Sequence, residues 1–288
     1  MFYKIWKPKR ISSFKAIKDF AKEMGIKKIG HSGTLDPLAD GLLIIATDED
    51  TKLLNYIVND VKTYYVKASL HKSSRSYDEG EEIFDLPFKN ISKSAFLDVL
   101  SYIKDIKTQI PPIFSAKKIN GVRLYKLARE NRDVEIKPID INILDLSLIN
   151  FDEKHQTFEI ETTVSKGTYI RSLIHDIGVL LNTDAIVNTL TRLRIGDISM
   201  NEKENFIKIN DLEKLFHISL YMLEKNDLVS IAKNRLSYID NLSDFSGKKI
   251  FIYNNEIIGI GDVDYGKISF SKVLFARIER ILKEVKHD

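Results

Sequence analysis

The chain has 288 residues, 43% of them hydrophobic, and sets 44 lysines and arginines against 41 acidic residues for a net charge of +3. That is enough apolar material for a sizeable core, and too small a charge to announce a nucleic-acid partner by its sum alone. With no cysteine, disulfides, thiolate nucleophiles and zinc–thiolate sites are excluded, and the six histidines fall at no metal-ligand spacing, so neither a metal nor another cofactor is expected.

No apolar run approaches the ~20 residues that span a bilayer. The first ten residues carry scattered basic side chains but no apolar signal region, so a cytoplasmic protein with no membrane partner is expected. Residues 1–18 hold six cations (Lys4, Lys7, Lys9, Arg10, Lys15, Lys18) and no acid. Phe14 to Met24 then places Ile17, Phe20, Ala21 and Met24 at helical spacing. Residues 63–70 and 157–164 alternate as strands, and Ser92 to about Ile106 reads as a helix. Residues 114–129 form a second acid-free basic run, with Lys117, Lys118, Arg123, Lys126 and Arg129. After Gly167, the stripe Ile170, Leu173, Ile174, Ile177 and Leu181 predicts a helix that ends at or soon after Gly178. A helical connector over 210–216 leads to a strand-rich tail, 248–275, with a turn at Asn254-Asn255. Strands and helices in this order, without strict βαβ spacing, point to an α+β fold built on a mixed, largely antiparallel sheet flanked by helices. The boundary is placed at 225/226, giving a main domain of 1–225 and a small β-rich domain of 226–288.

The stretch from Gly30 to Gly41, Gly-His-Ser-Gly-Thr-Leu-Asp-Pro-Leu-Ala-Asp-Gly, holds the chemistry-bearing candidate. Proline restricts the residue before it to extended geometry, so Asp36 should project from stiff, non-helical backbone. Taken alone, an Asp-Pro among glycines is also an ordinary turn.

Five blocks in order resolve that ambiguity. Lys7-Pro8 with Ser12-Ser13, Gly30 to Pro37 with Thr51-Lys52, Lys62-Thr63-Tyr64-Tyr65, Gln109 to Ala116 with Gly121 and Tyr125, and Ser165 to Arg171 together resemble tRNA pseudouridine synthases of the TruB type. The resemblance covers about residues 4 to 200. It departs at Arg10, which stands where the family has glycine, at Ser32 in place of threonine, at the acidic turn Asp48-Glu49-Asp50, and in the loop 73–80. The tail's Ile258-Gly259-Ile260-Gly261 resembles the core of a PUA-like RNA-binding domain.

The resemblance implies isomerisation of uridine to pseudouridine at position 55 of the tRNA T-arm loop, by a monomer that needs no guide RNA, protein partner, metal or cofactor. It makes Asp36 the essential carboxylate. Burial in a base-sized apolar pocket disfavours an ionised carboxylate, so a cation must offset it, and Arg171 is the matching position. The resemblance makes Tyr64 catalytic, its ring against the base and its phenol oxygen near the sugar for positioning or proton transfer, with Tyr65 on the opposite sheet face as the better candidate for core. Tyr169 and Arg171, two apart in extended backbone, would line one pocket. His31 would fill the gap left by a flipped base, or else satisfy its own turn. Lys7, Lys166 and Arg192, with the basic runs, would contact RNA. Addition of Asp36 to uracil C6, attack at C1′ and glycal formation all remain open. A dyskerin-like guided subunit and a non-catalytic tRNA-remodelling protein are the rival readings.

Overall fold

Along Thr157–Ser165 every second residue, Phe158, Ile160, Thr162 and Val164, is buried while those between are half-exposed, as in a strand with one face on a core. In the computed structural model, which describes residues 1–115, 117–119, 121–130, 135–202, 204–233 and 238–284, this strand belongs to a nine-stranded sheet. We label its principal strands β1 (Phe2–Lys7), β2 (Ile29–His31), β3 (Asp40–Thr47), β4 (Val61–Leu70), β5 (Ile143–Asp152), β6 (Thr157–Ser165), β7 (Ala185–Ile195) and β8 (Phe206–Lys208). Their order is β5-β6-β4-β7-β3-β1-β8, with β2 added against β3. Along it, β3 and β7 pair in parallel and the other neighbours pair antiparallel. The fold is thus α+β on a mixed, largely antiparallel sheet.

The described helices are α1 (Ser13–Glu23), α2 (Lys93–Ile103), α3 (Leu124–Arg129), α4 (Ile170–Leu180), α5 (Leu212–Phe216), α6 (Lys225–Ala232) and α7 (Phe275–Glu284). Serine hydroxyls start the first two: Ser12 accepts from the Lys15 N–H at 3.1 Å and Ser92 from the Ala95 N–H at 3.2 Å. One core lies between the sheet and helices α2 and α4, where Tyr64, Val66, Phe158 and Ile160 meet Phe96, Leu173 and Ile177. Gly178 lets α4 approach β7, because a Cβ there would lie 2.4 Å from the Ala185 nitrogen.

Four strands, β9 (Ser219–Met222), β10 (Ser246–Tyr253), β11 (Glu256–Asp264) and β12 (Lys267–Val273), form a second sheet. Its first strand precedes the 225/226 boundary, and helix α7 follows β12, a helix not expected from the sequence although Ile278, Ile281 and Leu282 recur there at helical spacing. This sheet packs on the back of β3. Leu43 and Ile45 face α1, whereas Leu42, Ile44 and Ala46 share a cluster with Ile250, Ile252 and Ile260 of the second sheet. With both faces covered, the run Leu42–Ala46 is wholly buried, which is why it is unbrokenly apolar.

The acidic turn after β3 is part of the same junction. Asp48 adopts φ +52°, the left-handed region that favours glycine. Asp50, buried, receives Arg277 Nη2 from α7 at 2.9 Å and the N-terminal ammonium of Met1.

Gly41 sits where β3 meets β7. Its φ is +112°, and a Cβ would lie 2.3 Å from the Arg192 carbonyl oxygen. Gly41→Ala is therefore expected to destabilise the fold by about 3 kcal/mol or more, since backbone on both sides must move. Urea unfolding measures this, and a loss under about 1 kcal/mol would show that the two strands can separate freely.

Candidate active site

The turn from Ser32 to Ala39 connects β2 to β3, and its position is set by hydrogen bonds to its backbone. Leu35 is held twice by Ser13, whose Oγ accepts from the Leu35 N–H at 2.8 Å and lies 2.9 Å from the Leu35 carbonyl. Arg192, 1% exposed, donates from Nε to the Leu42 carbonyl at 2.9 Å, from Nη1 to Thr34 at 3.3 Å and from Nη2 to Gly33 at 3.2 Å. Lys7, 0% exposed, donates to the carbonyls of Pro8 at 2.8 Å, Ile11 at 2.9 Å and Pro37 at 3.4 Å. These two cations were expected to meet RNA, and the structure corrects that expectation. Both are buried, with their donors on backbone carbonyls.

Asp36 projects from this turn with its side chain 38% exposed, and Arg171 Nε lies 2.8 Å from its Oδ2. Arg171 is itself buried. Its Nη1 donates to the Ser76 carbonyl at 2.8 Å and its Nη2 to the Phe114 carbonyl at 2.9 Å, so one guanidinium ties together three segments far apart in sequence. A second carboxylate, Asp78, stands 3.6 Å from the same Nε and accepts from the Ser76 hydroxyl and the Gly80 N–H. Sequence reasoning missed Asp78. The Asp-Glu-Gly at 78–80, in a loop noted only for departing from the family pattern, was the available signal.

Arg171 lies in the first turn of α4, not in an extended run, so it and Tyr169 do not share a face in the way expected. Tyr169 is the residue that caps α4, and its N–H donates to the Gln109 side-chain oxygen at 2.9 Å. The Ser172 hydroxyl donates to the Ile110 carbonyl at 2.8 Å. The 109–115 block thus docks on the start of α4, bringing the Phe114 carbonyl to Arg171. Ala116 and the side chain of Tyr125, also quoted from that block, lie outside the described residues, as do the side chains of Lys118, Arg123 and Arg129.

Tyr64 is 8% exposed and packs in the core cluster with Leu35 and Ala39. Burial pushes its phenol above the usual range, and the neighbouring Arg192 guanidinium opposes the rise. Tyr65, expected in the core, is instead on the open sheet face, where its hydroxyl donates to Glu159 at 2.8 Å and is pushed up to about 12 by burial and that bond. A phenol can sit at a sheet surface when a cross-strand carboxylate accepts its hydrogen bond.

His31, half-buried on β2, is lowered below its ordinary range by burial and by Arg192, so at neutral pH it is an uncharged ring. Its Nδ1 is buried without a hydrogen-bond partner. Lys62 is two residues before Tyr64. Burial and the cations Arg192 and Lys166 draw its ammonium down to about 8, and it comes within 3.8 Å of where a Gly33 Cβ would stand. Lys166 is exposed.

A cavity of about 340 Å³ opens over Asp36 and Arg171, with Lys9, Arg10, Leu38 and Leu190 among its walls. Its walls carry three carboxylates, Asp36, Asp78 and Glu79; the half-exposed Asp36 is fixed by the buried Arg171 guanidinium, with Leu38, Val187 and Leu190 beside it. A carboxylate so placed can act as a nucleophile or a base. A larger cavity of about 600 Å³ lies between the two sheets. It is lined by Met1, Asp50, Arg277 and Glu256, which pair with one another, and it shares no residue with the Asp36 cavity.

Comparison with known proteins gives a consistent picture. A model described as TruB family pseudouridylate synthase (N terminal domain) matches residues 21–170. A tRNA pseudouridine synthase B of Mycoplasma mobile is 41% identical over 96% of this chain and 95% of its own length. One of Thermosipho melanesiensis is 30% identical over 99% of both. Among solved structures, a Cbf5-Nop10-Gar1 complex aligns with a TM-score of 0.64 at 16% identity, over 94% of this chain and 84% of that one, a likeness of fold.

Burial draws Lys7 to about 8, even though Asp40 and Asp36 favour its charge. Below that pH it is an ammonium with three protons for three carbonyls; as pH rises through about 8 it loses one. The turn carrying Asp36 then loosens, so turnover should fall on the alkaline side. Lys7→Met should cost about 2 kcal/mol or more of stability and most activity, because the carbonyls lose their donor. A pH–rate profile flat to about pH 10, with Lys7→Met active, would show that the clamp is dispensable.

Proposed function

The chain belongs to the TruB family of pseudouridylate synthases, and from that premise we propose that it isomerises a tRNA uridine, the one at position 55 of the T-arm loop, with Asp36 as the essential group. The observation that carries this is the Asp36–Arg171 pair, 2.8 Å apart at the floor of a cavity of single-ligand size. The tRNA substrate is supported by the names of relatives that align over nearly the whole chain.

In the proposed reaction the C1′–N1 bond breaks, the uracil turns over, C1′ joins C5, and the C5 proton is exchanged for one at N1. No atoms enter or leave, so the protein must supply only an ionised carboxylate, a pocket that retains the free base, and access to the nucleotide. Arg171 pairs with Asp36 and aims it, and Ser76, Phe114 and Asp78 fix Arg171 in turn. Tyr64 supports the turn from behind, packed with Leu35 and Ala39, and in this reading its ring would meet the base. A stacked uridine is out of reach, so it must be flipped, at a cost smallest in a loop. Neutral His31 is suited to stack in the vacated place, Tyr169 to line the entrance, and Lys166 to meet the RNA backbone. In this reading the second sheet, from Ser219 onward, with α6 and α7 forms the small PUA-like RNA-binding domain, and the protein acts in the cytoplasm, as a monomer and without guide RNA. Like charge removal in Arg192 and Lys7, loss of Arg171 would damage the site from within.

The direct test is incubation of purified protein with unmodified tRNA transcript in EDTA, followed by mapping of pseudouridine at nucleotide resolution. Product at position 55, without guide or partner, is expected. Asp36→Asn should abolish it while tRNA affinity stays within a few-fold, and substantial turnover by this variant would remove Asp36 from its role. Arg171→Lys should lose about a hundredfold or more, because one ammonium cannot bridge Asp36, Ser76 and Phe114 together. A T-arm hairpin alone should be converted in single-turnover assays, and an inert hairpin at saturating enzyme would show that recognition depends on the rest of the tRNA.

A further inference from the structure

Arg10 is at φ +66°, a left-handed conformation that glycine adopts freely and a side-chain-bearing residue adopts at a cost. Three hydrogen bonds hold the backbone there. The Arg10 N–H donates to the Pro37 carbonyl at 2.7 Å, and Lys7 grips the carbonyls of Pro8 and Ile11 on either side. The fold therefore demands this conformation whichever residue occupies it, and the arginine side chain adds strain that the loop's own geometry does not need.

What the side chain adds is a charge at one place. Arg10 is exposed and lines the rim of the Asp36 cavity. The other rim charges have protein partners: Lys9 Nζ is 3.2 Å from the Thr189 hydroxyl, Glu79 accepts from Asn188 at 3.0 Å, and Asp78 stands beside Arg171. Among the described residues, the Arg10 guanidinium has no hydrogen bond or ion pair of its own. A strained residue at a cavity mouth with an unengaged planar cation is placed for a ligand oxyanion.

We propose that Arg10 binds a backbone phosphate of the RNA strand flanking the flipped nucleotide. A nucleotide inserted toward Asp36 leaves its phosphates outside the cavity, at the rim, and guanidinium geometry matches two phosphate oxygens. The inference rests on the tRNA reading above and adds a phosphate contact at a position where the family resemblance places glycine.

Three variants separate charge from backbone strain. Arg10→Gly removes both, Arg10→Ala removes charge and keeps the strain, and Arg10→Lys keeps both. With tRNA as substrate, Arg10→Gly and Arg10→Ala should each raise KM about five- to tenfold with little change in kcat. Each should also make the log–log salt dependence of tRNA binding shallower by roughly 0.7 to 0.9, the contribution of one phosphate. Arg10→Lys should retain most of the affinity and the full slope. Arg10→Gly should hold or raise the melting temperature, whereas a merely structural arginine would lower it. Unchanged KM and salt slope in Arg10→Gly, beside an active wild type, would overturn the assignment. A wild-type protein that converts no tRNA uridine would instead defeat the underlying reading, and this contact with it.

Discussion

Backbone carbonyls that point into a protein must find donors, and the turn carrying Asp36 has several that do. Gly33, Thr34 and Pro37 turn theirs inward, and two buried cations, Arg192 and Lys7, receive them. Cations are suited to this because one side chain offers several donors and charge strengthens each bond where water is excluded. The reach of each cation beyond the turn matters as much. Arg192 also holds the Leu42 carbonyl of β3, and Lys7 holds Pro8 and Ile11, so the turn, the central strand and the N-terminal loop move as one body. Asp36 is rigid because what surrounds its backbone is rigid.

Arg171 performs the complementary task on the side-chain end. It takes Asp36 from one segment, the Ser76 carbonyl from a second and the Phe114 carbonyl from a third, and its own place is set by α4. That helix is positioned by Gly178 against β7 and by Gln109 and Ile110 at its start. The carboxylate's environment is thus assembled from four parts of the chain, each held by bonds that do not involve the substrate. Preorganisation of this kind spends binding free energy in folding rather than during the reaction.

The second sheet is integral to this arrangement. It covers the face of β3 that carries Leu42, Ile44 and Ala46, and α7 is anchored by Arg277 to Asp50 directly after that strand. Removing the tail would expose the back of the strand that follows the Asp36 turn, so truncation disturbs the main sheet itself. The acidic turn at 48–50, a departure from the family pattern when read as sequence, is the ion-pair partner of the last helix.

The sequence by itself determined several of the elements and the turn that carries Asp36. Period-two burial in 157–164, the helical stripe after Gly167, serine caps ahead of α1 and α2, and the Asp-Pro turn are local signals, and local geometry follows from them. The family resemblance added the pairing of Asp36 with Arg171, which are 135 positions apart and have no local reason to meet. Tertiary structure alone decided the rest. Whether a cation faces RNA or a carbonyl depends on what packs over it, so Lys7 and Arg192 read as surface charge and lie in the interior. Which of Tyr64 and Tyr65 is buried depends on which sheet face carries helices, a choice that alternation cannot express. Asp78 entered the site only because a loop and a helix converge on one guanidinium. Contacts between residues distant in sequence leave no periodic trace, and it is through such contacts that this protein holds its carboxylate.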